Sequence, residues 1–510
     1  MSPMAAAWRG LACTGIAALL GGLSGQVHGL AAADLGGALG LSADEASWVT
    51  TAGAATEGAA VLVAAPLFAA FGARRMVLAG ALGGGLAALP GWLDLPPEAA
   101  LLGRLLGGFA IGLLPVTMMV WAMRNFPAPQ RPLPLMLFAL ASSLPSAFAA
   151  SVAGLATLHL GGRAGFLFDL AWTGPLALLA LWLLPREEAK PGLLATLDWA
   201  GYLLLAGGTA MLVVVLSQGE RRFWLATPFM LPLTAFGSAL AALAVARLLA
   251  SPHPWLDLRL LRIPSFAVGL AEAVSLRFAL MLGAFAAPQA LLRLQGLRPE
   301  QAGEAVLWLA AGQALGFPLA WLWLRRPGAD GRWALALGLA AFSGAALWGA
   351  MIDPRWSVPE FVPMLALAGL GQGLFLTAVL RFATAEVPAT GGSTAAGLFN
   401  LSRVLGQAGA AAMLGALLRL REGFHSARLV QEVTPASQAA AERMAELGTL
   451  YGSVTTDAGA AASAALARLA AEASAQAYAL AFGDVFLGIA AVLAVAALLI
   501  PLLPRLGDRP

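Results

Sequence analysis

In the stretch TTAGAATEGAAVLVAAP, residues 50–66, one ionisable side chain stands among small and apolar neighbours: Glu57. If that stretch lies in lipid, a charge at its middle costs roughly 2.5–3.5 kcal/mol on insertion scales. Such a carboxyl must face a polar cavity or a partner, and burial favours its protonated form. A carboxyl that gains and loses a proton while reachable from alternate sides is a proton carrier. The other reading is a protonated acid hydrogen-bonded inside a helix bundle.

Arg104, in LLGRLLGGFAIG, poses the same question with the opposite sign. A buried guanidinium wants an acid or backbone carbonyls, and Glu57 is one candidate partner. A snorkelling arginine near a helix end is the alternative. His28 is a proton relay or a hydrogen-bonded packing residue. Glu272 and Arg277 are five residues apart, so they address different neighbours. In a substrate cavity they favour ligands with polar or charged groups. Asn400, Arg403 and Gln407 share one helical face, facing either a cavity or another helix as interhelical glue. The aromatics Phe138, Phe148, Trp308 and Trp321 either line an apolar pocket or pack.

The elements that must position these groups follow from composition. The chain has 510 residues, 60% hydrophobic and 11% charged, with mean hydropathy +0.80. Soluble domains carry roughly 25% charged residues, so this is a polytopic membrane protein. Lipid offers backbone groups no partners, which leaves helices once the period-2 alternation of a barrel is missing. With roughly 20 apolar residues per crossing, fourteen stretches qualify: 10–33, 46–68, 75–93, 98–122, 133–157, 165–184, 199–217, 226–249, 266–292, 303–325, 332–352, 359–382, 395–419 and 480–503. Arg9, the apolar run Leu11–Leu23 and AAA at 31–33 have the outline of a signal peptide, but its removal would leave an odd number of spans.

The connections alternate in charge. One side holds sixteen Lys and Arg residues, including Arg74, Arg75, Arg325, Arg326, Arg381, Arg505 and Arg509. The short loops of the other side hold six: Arg163, Arg221, Arg222, Arg293, Arg298 and Arg355. The positive-inside rule then puts both termini in the cytoplasm of an inner-membrane protein. Residues 420–479 form a long outer connection, expected to contain amphipathic helix at the interface, serving as a cap or as a docking face for a periplasmic adaptor. Two Arg-rich, Gly-bearing turns, APLFAAFGARRM (65–76) and LAWLWLRRPGADGRW (319–333), each follow the second helix of a six-helix block. This gives a 6+2+6 layout: residues 1–190, an inserted pair in 191–262, and 263–510. Transporters are often built from such halves, with the substrate at the midplane.

Several segments carry a family resemblance: LGLSADEASWVTTA (39–52), HPWLDLRLLRIPSFAVG (253–269), GLFNLSRVLGQAG (397–409), FHSARLVQEVTP (424–435) and YALAFGDVFL (478–487). Across nearly its whole length the chain resembles the 14-helix drug:proton antiporters of the major facilitator superfamily, the EmrB/QacA type. The resemblance implies a major facilitator fold and alternating-access export of drug-like or amphipathic compounds in exchange for protons. It also implies a proton-coupling role for Arg104, and places Glu57, Asn400 and Arg403 on family positions. The match is eroded elsewhere. The turn after helix 2 keeps Gly72, Arg74 and Arg75 as a gating element, but has Ala69 and Ala70 where an acid is usual. Ser24 stands where helix 1 commonly has Asp, and Gly107 where a Gln is common. Helix 5 keeps Pro145 but has Leu144, Phe148 and Val152 at the glycine positions. A neighbouring stripe of Ser142, Ser146, Ala150 and Gly154 keeps close helix contact open on another face.

These losses leave room for a uniporter or importer of a specific metabolite, and a non-transporting scaffold or sensor working through 420–479 is a third reading. An enzyme is not expected. No phosphate loop ends in Lys-Ser/Thr, and four histidines and one cysteine lack metal-ligand spacing. Neither cofactor nor metal is expected, and no nucleic acid. The expected partners are a small-molecule substrate, protons and membrane lipid.

Overall fold

A computed structural model of the protein describes residues 2–502, apart from 253, 282–285, 327, 389–390 and 435. Arg505 and Arg509 of the charge comparison, and part of the ninth expected span, lie outside the described residues. Within them every regular element is a helix.

The first helices are α1 (Pro3–Leu30), α2 (Ala32–Ala38), α3 (Ala43–Trp92), α4 (Pro97–Asn125), α5 (Pro132–Leu160) and α6 (Ala164–Leu183). A short α7 (Gly192–Ala195) leads to the pair α8 (Trp199–Gln218) and α9 (Met230–Ala250). There follow α10 (Pro264–Met281), α11 (Ala287–Gln295), α12 (Pro299–Leu324), α13 (Gly331–Gly349) and α14 (Val358–Thr384). The chain ends in α15 (Gly392–Glu432), α16 (Gln438–Gly452) and α17 (Ala458–Leu499). Eleven of these are long and apolar enough to cross a membrane.

One of the eleven, α3, has 50 residues. Straight, it would measure about 75 Å, more than twice a hydrocarbon core of about 30 Å. It does not run straight, because Gly72 adopts φ 76° and ψ 165° inside it. That conformation belongs essentially to glycine, so the expected break between spans 2 and 3 falls on the one residue that tolerates it. The N-terminus of α3 is fixed by a capping box: Ser42 N–H donates to Glu45 Oε2 at 2.9 Å, and Glu45 N–H donates to Ser42 Oγ at 3.3 Å.

The segment 420–479, expected as a long connection containing helix, is built from helices. Residues 420–432 continue α15 and residues 458–479 begin α17, so the segment is mostly an extension of two long helices. At 41 residues α15 is about 62 Å long. Helix α17 packs on α15 and on α16, tied by Arg443 of α16 to Glu472 (2.7 Å) and by Arg421 and His425 of α15 to Asp484 (2.5 and 2.6 Å).

Two sets of contacts join the early and late helices. On one flank α5 packs on α12 and α14, and on the other α3 packs on α15. The pair α8–α9 sits beside the second contact, with α8 touching both α3 and α15. The expected small-residue stripe of α5 serves the first. A Cβ on Gly154 would lie 2.4 Å from the Glu300 backbone, and one on Gly303 would lie 2.7 Å from the Ser151 backbone. Helices α5 and α12 therefore touch backbone to backbone. On its other side Pro145 fits against Gly22 of α1, where an added Cβ would come within 2.8 Å of the ring.

Candidate functional site

Glu57 lies mid-way along the first limb of α3, where its side chain keeps 23% of its exposure. Its partner is Arg403 of α15, whose Nη2 donates to Glu57 Oε1. The pair joins two helices 346 residues apart in sequence. Glycines on α4 make room for it: a Cβ on Gly112 would come within 3.0 Å of Glu57 Cγ, and one on Gly108 within 2.2 Å of the Gly53 carbonyl oxygen. The glycines of LLGRLLGGFAIG are thus spaces that Glu57 and its helix occupy.

Arg277 of α10 joins this group from a third direction. Its stem crosses Gly406, where a Cβ would meet Arg277 Cγ at 2.7 Å. Gly406 is three residues beyond Arg403, and the two guanidiniums repel each other electrostatically. Arg403 pairs with Glu57, and Arg277 stands beside Arg403 with no ion pair among the described residues. Among the described residues the Nε atoms of Arg277 and Arg403 and the buried Asn400 Oδ1 have no hydrogen-bond acceptor or donor opposite them. Asn400 Nδ2 donates back to the Ala396 carbonyl at 2.9 Å. Glu272 and Gln407 are half-buried, and the structure brings neither into a hydrogen bond with the cluster.

Arg104 is not paired with Glu57. It is 5% exposed and packs against Gly53, one turn before Glu57. Its ion-pair partner is Asp169 of α6, with Nη1 3.5 Å from Oδ2. His28 Nε2 meets the same Oδ2 at 2.9 Å. The buried Ser24 hydroxyl lies beside this carboxylate. His28 is fully buried, stacks edge-on to Phe166 at 5.2 Å, and fits against Gly165. Arg104 thus pairs with Asp169 and Arg403 with Glu57, with Glu57 still near enough to act electrostatically on Arg104.

Asp169 is the buried, paired carboxylate that the sequence reading missed. Its signal was present, since it is the single ionisable side chain of residues 165–184, and an ionisable residue inside a span is a functional candidate by default. It answers the loss at Ser24: the carboxylate beside Arg104 comes from α6 instead of α1.

The Gly72 turn is repaired in a similar way. A Cβ on Gly72 would lie 2.9 Å from Glu187 Cβ. The Glu187 carbonyl accepts from Arg75 Nη1 at 3.0 Å, and its carboxylate pairs with Arg124 at 2.9 Å. Ala70 accepts from the Lys190 N–H at 2.7 Å. The segment after α6 thus supplies the acid missing at Ala69 and Ala70. Arg74 is half-buried. Of the remaining residues, Ser146 donates to the Ser143 carbonyl at 2.7 Å, whereas Ser142 Oγ has no partner among the described residues. Phe138 is buried, and Phe148 and Trp308 are exposed. Trp321 lines a cavity near the end of α12.

Within this multi-pass helical protein, charged side chains neutralise one another across helices, Arg104 with Asp169 and Arg403 with Glu57. Residues 14–411 match the Major Facilitator Superfamily profile, and the chain belongs to that family. Its sequence is 25% identical over 373 residues to the colistin resistance protein EmrB of Acinetobacter baumannii, covering 71% of this chain and 70% of the relative. It is 29% identical over 421 residues to the puromycin resistance protein pur8 of Streptomyces alboniger (80% and 81%). It is 28% identical over 444 residues to a probable actinorhodin transporter of Streptomyces coelicolor (81% and 73%). The fold is similar to that of an auto-inhibited POT family peptide transporter, with TM-score 0.55, 14% identity, and 97% and 96% of the two chains covered. The relatives are of the drug-resistance branch that the sequence resembles.

Proposed function

We propose that the protein is a proton-coupled secondary transporter that exports drug-like or amphipathic compounds across the inner membrane by alternating access. In this reading it crosses the membrane fourteen times as 6+2+6, with both termini in the cytoplasm. Residues 1–190 and 263–510 are the two rocking halves, and 191–262 hold the inserted pair and linker. The extended outer ends of α15 and α17 are the face on which a periplasmic adaptor would dock.

The observation that carries the mechanism is the Glu57–Arg403 pair between α3 and α15. A proton on Glu57 cancels the charge that holds Arg403 and so weakens one of the two contacts between the halves. A ligand or proton shifts a conformational equilibrium only by its different affinity for the two states. Here the difference is built in, because the pair exists only while the two helices are close. In this reading polar substrates bind beside the pair, at Arg277, Asn400 and Gln407.

The test is Glu57→Gln in inverted vesicles. Efflux driven by a pH gradient should disappear while the protein still purifies as a folded species. Because the substitution strands Arg403, Glu57→Gln with Arg403→Gln serves as the folding control. Efflux that responds to the pH gradient as in the parent chain would rule out the role of Glu57.

A further inference from the structure

A cavity of about 570 Å³ opens where the start of α1 and the turn before α5 meet the ends of α12 and α14. That volume is in the range of small-ligand sites. Trp8 and Gln130 line it from the early helices; Trp321, Arg325, Arg326 and Arg381 line it from the late ones. Its walls are mostly apolar, and three guanidiniums gather at one end. No carboxylate lines the cavity, and among the described residues none of the three is ion-paired. Arg325 lies over the Trp321 ring at 4.8 Å, and Arg381 donates to the Leu324 carbonyl. Arg124, Arg247 and Arg332, by contrast, sit on acids: Glu187, Asp198 and Asp330. Three cations left over in one concave place lack an anion from outside the chain.

We propose that this cavity binds the phosphate headgroup of an anionic phospholipid, and that occupancy favours the conformer described here. Basic pockets between helices on the cytoplasmic side are suited to anionic headgroups, and that leaflet carries the anionic lipid. The Trp rings and the apolar wall supply what a free inorganic anion would not use: a surface for the glycerol and first acyl carbons, with aromatic rings at headgroup depth. The cavity is bounded by helices from both ends of the chain. A headgroup seated in it bridges α1 and α5 to α12 and α14, and is lost when those ends part. The lipid thereby shifts the equilibrium through its different affinity for the two states. The inference rests on the proposed orientation, which puts Arg325, Arg326 and Arg381 in the cytoplasm, and not on proton coupling.

The experiment is a thermal melt of the purified full chain in detergent, titrated with phosphatidylglycerol, phosphatidylcholine or inorganic phosphate. Phosphatidylglycerol should raise the melting temperature in a saturable way, and phosphatidylcholine should not. Arg325→Gln with Arg326→Gln should abolish the shift, and Arg381→Gln alone should weaken it at least threefold in midpoint concentration. Arg186→Gln, a change on the same side but away from the cavity, should leave the response intact. Equal loss in Arg186→Gln would mean general charge attraction and would overturn the site. So would a full shift with inorganic phosphate alone. If the double variant does not fold, mass spectrometry of lipid adducts on Arg326→Gln decides: adduct retention equal to the parent overturns the proposal. The detergent titration is independent of orientation. A C-terminal tag reached only from outside intact cells would therefore sink the orientation while leaving the binding result to stand or fall by itself.

Discussion

Arg104, Asp169 and His28 meet where none of them has more than 5% of its surface exposed. Asp169 there is the only carboxylate, so its removal leaves a guanidinium without compensation in a low-dielectric interior. Breaking a buried pair by deleting one partner costs about 3–5 kcal/mol, whereas replacing both can be close to neutral. We therefore expect Asp169→Asn to lower the melting temperature strongly, Arg104→Gln to do so less, and the double variant to recover much of the loss. Additive changes in the double-mutant cycle would mean that the two residues are not coupled. At this scale the sequence showed which residues are expensive but not how they pair. Glu57, Arg104 and Arg403 were all visible as charges within apolar runs. That Arg403 takes Glu57 and Asp169 takes Arg104 depends on which helices pack together, and spacing along one helix carries no information about that.

At the scale of elements the hydrophobic runs were legible because lipid imposes both length and composition. The break at 72 was legible too, through a glycine followed by two arginines. Helix ends outside the apolar runs were not, since hydropathy stops reporting where lipid stops. For that reason α15 overran its expected end, and α17 its expected start, by a dozen residues or more. Gly72 allows a direct check. With φ 76° it is in a region that costs other residues about 1–3 kcal/mol, and an added methyl also meets Glu187. Gly72→Ala should lower thermal stability by that order, and transport with it. Gly174→Ala is the comparison: Gly174 is helical and a Cβ there meets nothing within 4 Å, so the change should be neutral or stabilising. Equal melts for the two variants would show that the turn does not need its glycine.

For the whole molecule, the open quantity is the number of crossings. Eleven helices meet the length and hydropathy expected of a span, and the turn at Gly72 makes one of them two. The remaining crossings of the 6+2+6 layout fall on α10 with α11 and on α13. Both carry polar residues, Glu272, Ser275 and Arg277 in the first and Arg332 with several glycines in the second, and residues 282–285 between α10 and α11 lie outside the described residues. A helix lined with polar groups crosses lipid when its neighbours cover them, and α10 packs on α14 and α15 while α13 packs on α14 and α17. Both should therefore cross. Cys13 is the only cysteine and is buried, so a Cys13→Ser background makes single introduced thiols readable. Cysteines at Arg262 and Arg326 should react with a membrane-impermeant maleimide only in inverted vesicles. Cysteines at Arg293 and Arg355 should react in intact cells. All four positions are exposed, so silence on both sides is not expected. If 262 and 293 label from the same side, the α10–α11 segment does not cross. The second half then loses its symmetry with the first, and the rocking of two equal bundles around Glu57 and Arg403 has no basis.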